Sequence, residues 1–303
     1  MTYDIIIIGS GPAGLSAAIY AERAKLNTLV IEKDYISGGQ INDTYEVDNY
    51  PGLKGVSGFE LATKFKEHAD AIGATFVTEE VTSIEVSGDI KKVITDKNEY
   101  ETRTVILAMG ATHRMLGVPG EELLSGRGVS YCATCDGAFY KDKIVAVVGG
   151  GDVALEDAIF LARACKKVYV IHRRDEFRGA KQLAEKLLAL PNVEVLWNTQ
   201  VREIRGKDKV EDVLIYNNKK DTEATLELNG VFIAVGITPN SNNFINCVSA
   251  DESGYIIADE TCETNVPGVF AVGDVRKKQL RQIVTAVADG ANAVTSAERY
   301  INS

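Results

Sequence analysis

One short plan occurs twice in the sequence, and it restricts the fold more than any other feature. Ile5 to Ile8 run into Gly9-Ser10-Gly11-Pro12-Ala13-Gly14; a helix-forming stretch from Leu15 to Ala24 follows, and the strand Thr28 to Ile31 ends on Glu32. Ile144 to Val148 run likewise into Gly149-Gly150-Gly151-Asp152-Val153-Ala154. A helical stretch to Ala164 follows, then the strand Val168 to Ile171, which ends on His172. Glu32 follows Gly9 by 23 positions, and His172 follows Gly149 by the same 23. In each copy the first glycine permits a tight turn and the second lets backbone approach a pyrophosphate. The third small residue packs the helix on the sheet, with its N-terminal N–H groups aimed at the phosphates. A lone glycine motif occurs in many loops. Two copies in matching strand contexts at equal spacing predict two dinucleotide sites.

The copies also continue alike. Short β-rich segments with polar turns follow each, Phe76 to Leu107 and Val193 to Ile233. Alternation such as Val81-Thr82-Ser83-Ile84-Glu85-Val86 suits half-buried antiparallel strands. Each copy closes on a strand entering Ala-x-Gly, at Ala108-Met109-Gly110 and Ala234-Val235-Gly236. A third such strand, Val269 to Val272, ends in Gly273-Asp274 with no new glycine motif before it. The economical reading is an α/β chain of two Rossmann-like dinucleotide-binding domains, each a parallel sheet plus a small antiparallel β-meander, the second inserted into the first. On this reading residues 1–114 and 242–303 form the first domain and 115–241 the second. The crossings near 112–116 and 241–246 form a two-stranded hinge. A length of 303 residues agrees with two cores.

A formal charge of −10 argues against a nucleic-acid partner, which needs a basic surface. The isoleucine run has no basic leader and meets glycines after four residues, so it reads as a buried strand rather than a signal peptide. No apolar run reaches the roughly 18–20 residues that span a bilayer. Five cysteines do not suggest a secreted disulfide framework. The expected location is the cytoplasm.

Glu32 stands where a carboxylate accepts hydrogen bonds from the ribose hydroxyls of an adenosine, which suits FAD or NAD because a carboxylate repels a 2′-phosphate. The second copy has His172-Arg173-Arg174-Asp175-Glu176-Phe177-Arg178 at the matching place. Three arginines there are either a solvated helix start or forked donors for a phosphomonoester, which selects NADPH over NADH.

Ser130-Tyr131-Cys132-Ala133-Thr134-Cys135-Asp136-Gly137 precedes the second dinucleotide strand. Cys132 and Cys135 admit three readings. A zinc site lacks a second Cys/His pair, because Cys165, Cys247 and Cys262 are scattered and there are three histidines, so no metal is expected. Two buried thiols by chance is the second. The third is a redox pair, since two intervening residues allow a small, readily reversed disulfide ring. Asp136 follows the second sulfur, where a carboxyl moves protons during dithiol formation.

The glycine motifs and the cysteine pair, with Gly38-Gly39-Gln40, Asn49-Tyr50-Pro51-Gly52, Gly236-Ile237-Thr238-Pro239-Asn240, Gly273-Asp274-Val275-Arg276 and Arg281-Gln282, give a pattern covering the whole chain. In it the chain resembles the low-molecular-weight bacterial thioredoxin reductases. Lys277-Lys278-Gln279-Leu280 replaces a segment variable in that family, and Gly179 stands where alanine is common. The resemblance implies FAD bound by the first domain and the C-terminal segment, on Gly9, Gly11, Pro12, Ala13, Gly14 and Glu32. It places Gly39, Gln40 and Asn49 near the isoalloxazine and the Val81 backbone at the adenine. Gly273 and Asp274 go to the ribitol and pyrophosphate side, and Arg281 and Gln282 to the flavin edge. NADPH falls on Gly151, Asp152, His172, Arg173, Arg174 and Arg178.

The implied reaction passes a hydride from NADPH to FAD and then opens the Cys132–Cys135 disulfide. Cys135 is the flavin-side sulfur, Cys132 attacks the disulfide of thioredoxin, and Asp136 is the acid/base. The pair and the nicotinamide site share one domain but must both meet one flavin, so the domains must rotate. The resemblance also implies a homodimer. The rivals are a ferredoxin-reducing flavoprotein, whose relatives lack the pair; a dithiol oxidase, which needs no arginines; and a nucleotide-sensing module, which leaves the pair idle.

Overall fold

The computed structural model describes residues 2–44, 46–47 and 49–303; Met1, Tyr45 and Asp48 lie outside the described residues. The chain divides into two compact units, Met1–Thr112 with Thr238–Ser303, and His113–Ile237.

The first unit is built on a mixed sheet. Strand β1 (Thr2–Ile8) lies between β2 (Thr28–Glu32) and β6 (Glu99–Leu107), parallel to both, and β3 (Thr75–Thr78) extends the sheet beyond β2. β5 (Lys91–Thr95) folds back antiparallel onto the first half of β6, and β4 (Val81–Glu85) pairs antiparallel with β5 at the edge. β17 (Val269–Ala271) returns from the far end of the sequence to pair in parallel with its second half. The Phe76 to Leu107 segment therefore divides: its opening strand joins the parallel sheet and the remainder forms the meander.

Helix α1 (Pro12–Arg23) is alanine-rich, starts with proline in its first turn and buries Leu15, Ala17, Ala18 and Ala21. α2 (Gly58–Ala71) is capped by Ser57, whose hydroxyl accepts from the Glu60 N–H at 3.1 Å. α6 (Ile283–Ile301) opens on a reciprocal cap between Gln282 and Thr285. Ile5, Ile6 and Ile7 have no exposed surface, and full burial of each stabilises by about 1.5–3 kcal/mol. α6 lies against α1 at backbone distance. A Cβ on Gly290 would come within 2.3 Å of the Ala13 carbonyl oxygen, and the Ser16 hydroxyl donates to the Val287 carbonyl at 2.7 Å.

The second unit carries a parallel sheet in the order β11 (Val193–Trp197), β10 (Lys167–His172), β9 (Ile144–Gly149), β15 (Gly230–Ala234), β8 (Val129–Ser130). Its meander is the antiparallel set β12 (Thr199–Arg205), β13 (Asp212–Asn217) and β14 (Thr222–Glu227). A single turn, α3 (Ala133–Asp136), follows β8, and α4 (Asp152–Leu161) and α5 (Lys181–Leu188) pack on the sheet. α4 stops at Leu161 and yields to a turn, short of Ala164. The passages between the units, β7 (Ala111–His113) and β16 (Ile237–Pro239), pair with each other as a two-stranded sheet.

Candidate active site

Cys132 and Cys135 are joined as a disulfide, with Cα atoms 5.3 Å apart. Cys132 occupies the N-cap of α3. Its sulfur and its carbonyl both lie 3.2 Å from the Cys135 N–H, and the carbonyl also accepts from the Asp136 N–H at 3.1 Å. An N–H pointed at sulfur favours its thiolate once the disulfide opens. Ser130, at the end of β8, binds both sides of the turn. Its hydroxyl donates to Asp136 Oδ2 at 2.5 Å and accepts from the Cys132 N–H at 3.1 Å. The half-buried Tyr140 phenol is pushed up to about 12, first by desolvation and then by the Asp136 charge.

A second support stands behind Tyr131. The Glu121 carboxylate, 1% exposed, accepts from the N–H groups of Leu116 and Gly117 at 2.9 and 2.8 Å and from the Tyr131 hydroxyl at 2.9 Å. The Tyr131 ring stacks on His113, with centroids 5.4 Å apart, and burial holds the His113 pKa below its ordinary value.

The glycine turn of the second unit is enclosed on one side and open on the other. A Cβ on Gly149 would meet the Ala234 carbonyl at 2.4 Å, and one on Gly150 the His172 ring at 2.2 Å. At Gly151 the nearest atom would be Arg178 Nη2, 3.7 Å away. His172 is buried, its Nε2 lies 2.9 Å from the Glu176 carbonyl, and burial lowers its pKa; its ring packs on Phe177 and Trp197. The imidazole is thus part of the wall.

Arg173, Arg174 and Arg178 are exposed, on a loop whose backbone is fixed at several points. Asn218 Nδ2 and the Asn198 N–H donate to the carbonyls of Arg173 and Arg174 at 3.1 and 3.0 Å. The Arg178 N–H donates to the Gly150 carbonyl at 2.8 Å, and Asp152 Oδ1 accepts from the Ala180 N–H at 2.6 Å. Three cationic forks on a fixed backbone beside a helix N-terminus suit a phosphorylated nucleotide.

In the first unit the same kind of turn carries a carboxylate. Gly9 has φ +102°, and a Cβ on Gly14 would lie 1.9 Å from the Gly9 carbonyl oxygen, whereas one on Gly11 would meet nothing nearer than 3.9 Å. Glu32 Oε2 accepts from the Ser10 N–H and hydroxyl, both at 2.7 Å, and Oε1 from the N–H groups of Lys33 and Asp34. The Gly38 N–H donates to the Ser10 carbonyl at 2.9 Å, and a Cβ on Gly39 would stand 3.6 Å from Gly11 Cα. Gly39 and Gln40 therefore follow a segment bonded to the turn.

Asn49 Nδ2 donates to Gln282 Oε1 at 3.0 Å, which ties a second segment to the start of α6. Arg281 lies over the Tyr255 ring at 3.9 Å, and its Nε is 3.4 Å from the Asp274 carbonyl. Val81, at the start of β4, is buried, and its carbonyl faces Asn243 Nδ2 at 3.4 Å. Asp274 Oδ1 is buried with no hydrogen-bond partner among the described residues; burial raises this carboxyl's pKa, against the lowering influence of Lys278 and Arg281. A buried acceptor without a donor costs about 1–3 kcal/mol. Together with the open face of Gly11, it fits a hydroxyl-bearing dinucleotide such as FAD.

Two features escape a reading of the sequence. Ser130 forms part of the redox turn only because β8 and α3 are so short. Asp289 lies buried on α6 beneath Gly273, and its one sequence signal is a lone acid within the apolar run Ile283 to Ser296. Among the described residues no helix is long and apolar enough to cross a membrane.

Residues 3–290 match the family described as pyridine nucleotide-disulphide oxidoreductase. A thioredoxin reductase of Peptoclostridium acidaminophilum is 46% identical over 99% of this chain and 98% of its own length. The crystal structure of thioredoxin reductase from Streptococcus pyogenes superposes with a TM-score of 0.96 at 47% identity, covering 99% of this chain and 98% of that one. Lactococcus lactis thioredoxin reductase, in a structure described as the FR conformation, is 42% identical over 99% of both chains with a TM-score of 0.68.

Proposed function

The chain belongs to the pyridine nucleotide-disulphide oxidoreductases, as a thioredoxin-disulfide reductase using FAD and NADPH, and from that premise we propose how its own residues divide the work. The observation that carries the reading is the Cys132–Cys135 disulfide in the same unit as the open, arginine-flanked glycine turn.

The first unit holds FAD. Gly11 and Gly14, with Gly9, Pro12 and Ala13, leave the α1 N-terminus to the pyrophosphate. Glu32 accepts the ribose hydroxyls, the Ser10 hydroxyl turning aside. Asp274, with Gly273, takes the ribitol hydroxyls on its buried oxygen. Gly39, Gln40, Asn49, Arg281 and Gln282 line the flavin end, and the Val81 backbone serves the adenine. When bound, FAD supplies the two-electron carrier between nicotinamide and disulfide.

The second unit holds NADPH, with Gly151 and Asp152 at the pyrophosphate and Arg173, Arg174 and Arg178 on the 2′-phosphate side. His172 acts by closing the wall under Gly150. After two electrons and a proton reach the disulfide, Cys135 carries one sulfur and Cys132 the other. The Cys132 thiolate, favoured by the Cys135 N–H, attacks the thioredoxin disulfide. One thioredoxin sulfur leaves as thiolate and a mixed disulfide forms. Cys135 then attacks Cys132, which restores the ring and releases reduced thioredoxin, whose first thiolate takes a second proton from water. Asp136, aligned by Ser130, takes the proton from Cys135 as it attacks and returns one to the leaving sulfur.

The paired β7 and β16 serve as the hinge for rotation between the two half-reactions. The protein works in the cytoplasm as a homodimer, a reading that rests on resemblance and is checked by sedimentation. The function itself is tested by NADPH oxidation by the purified flavoprotein with and without oxidised thioredoxin, repeated with Cys132→Ser. Turnover that requires thioredoxin and disappears in the variant supports it; flavin reduction to which no thioredoxin responds moves the search to another disulfide partner.

A further inference from the structure

The turn that presents Asp274 rests on a buried ionic cluster that none of the steps above uses. Asp289, on α6, is 4% exposed and Arg276 3% exposed. Asp289 Oδ2 accepts from the Gly273 N–H at 2.9 Å, from Lys278 Nζ at 2.7 Å and from Arg276 Nε at 3.3 Å, and Oδ1 accepts from Arg276 Nη2 at 3.0 Å. Arg276 Nη1 continues to the Asp259 carbonyl at 2.7 Å, and Lys278 Nζ to the Thr285 carbonyl in the first turn of α6 at 3.3 Å. One carboxylate thus fixes both ends of the Gly273–Lys278 segment, and the exposed Glu260 carboxylate, 3.8 Å from Arg276 Nη1, closes the outer edge of the cluster.

The residue after Asp289 is Gly290, which sits against the Ala13 carbonyl in the first turn of α1, and a Cβ on Gly273 would stand 3.0 Å from Ala13 Cβ. Two adjacent positions of α6 therefore set the Gly273 turn and the Gly9–Gly14 turn against each other. Ion pairs so fully removed from water are costly, and a hydrophobic replacement often does as well for stability alone. A role beyond stability explains this one. Resting on the assignment of FAD to the first unit, we propose that Asp289 is a positioning residue for that cofactor. It sets the distance between the two turns that hold the pyrophosphate and the ribitol, and it anchors two cations behind them.

The test measures FAD release from holoprotein on serial dilution, read as recovered flavin fluorescence, for wild type, D289N and D289N/K278M. Thermal melts of the apo forms and NADPH affinity, read from Trp197, run in parallel. Trp197 lies in the second unit beside His172 and serves as the reporter for that unit. D289N leaves two buried cations facing an amide and lowers the melting temperature; the double variant removes one cation with the lost charge and restores it. FAD dissociation is expected to strengthen at least tenfold in both variants, with NADPH affinity unchanged. Recovery of FAD affinity together with stability in the double variant would make Asp289 only a brace of the fold and overturn the proposal, as would wild-type FAD retention in D289N. A wild-type protein that holds no FAD refutes the cofactor assignment instead.

Discussion

The Cys135 N–H points at the sulfur of Cys132 across 3.2 Å, and no reciprocal contact runs from the Cys132 N–H, which donates to Ser130 Oγ at 3.1 Å. The two sulfurs are therefore unequal in the dithiol form. The N–H contact favours a thiolate on Cys132, which reacts first. At pH 7, iodoacetamide should label Cys132 about tenfold faster than Cys135 in the reduced protein, measured by peptide mass spectrometry. Equal or reversed labelling would remove the basis for their assigned roles.

The arginine loop gives a second test. Arg173 and Arg174 are exposed side chains on a backbone held by Asn198 and Asn218, so their loss should leave the fold intact. A charge-assisted hydrogen bond to phosphate contributes about 1.5–3 kcal/mol. Replacing both arginines with alanine should therefore raise KM for NADPH by roughly 10- to 100-fold or more and leave KM for NADH nearly unchanged. Equal effects on both nucleotides contradict a 2′-phosphate site.

Two glycines of one turn should separate folding from binding. Gly14→Ala forces a methyl group into the Gly9 carbonyl and should destabilise the first unit by about 1–3 kcal/mol. Gly11→Ala places its methyl group no nearer than 3.9 Å to the Gly38 carbonyl oxygen, an ordinary contact, and should leave the apo stability within about 0.5 kcal/mol of wild type. FAD affinity should nevertheless fall in Gly11→Ala, because the methyl group occupies the approach to α1. Unchanged affinity, measured by flavin fluorescence, moves the pyrophosphate elsewhere.

Asp157, on α4, has its carboxyl pushed from an ordinary 3.8 up to about 7, first by burial and then by the charge of Glu156. The folded state keeps a proton there that the unfolded chain releases. Stability is therefore lost as pH rises from about 4 through 7. Each pH unit of displacement carries about 1.4 kcal/mol, so Asp157→Asn should stabilise the second unit by about 2–4 kcal/mol at pH 8 and hardly at all at pH 4. Urea unfolding followed by Trp197 fluorescence tests this, and a gain independent of pH would contradict it.

Local chemistry was the readable part of the sequence. Strand, glycine turn and helix follow one another within a few residues, and Cys132 and Cys135 form their ring inside one turn, so short-range order reveals them. His172 shows where that reading stops. Its position opposite Glu32 suggests ligand contact, yet the imidazole turns inward because Gly150 leaves room for the ring and Phe177 and Trp197 pack on it. β3 and β11 read like first strands of the meanders, because a short apolar strand looks the same whichever partner it takes. They join the parallel sheets through register with β2 and β10. Asp289 was hidden for a different reason: its partners Gly273, Arg276 and Lys278 lie more than two helical turns away in sequence, and only the fold brings them under one carboxylate.

The pairing of β7 with β16 also bears on how the chain assembles. β17 and α6 are the last parts of the first unit to leave the ribosome, and until they arrive Val105 to Leu107 present an unpaired strand edge. The whole second unit separates these partners in sequence. A disordered insert of that size would add a loop-closure cost. Once folded, the insert brings its two ends side by side, so the gap that β17 and α6 must bridge shrinks to the spacing of two neighbouring strands. The order of synthesis and the order of least entropy coincide, with the inner unit folding first and the outer one closing around it.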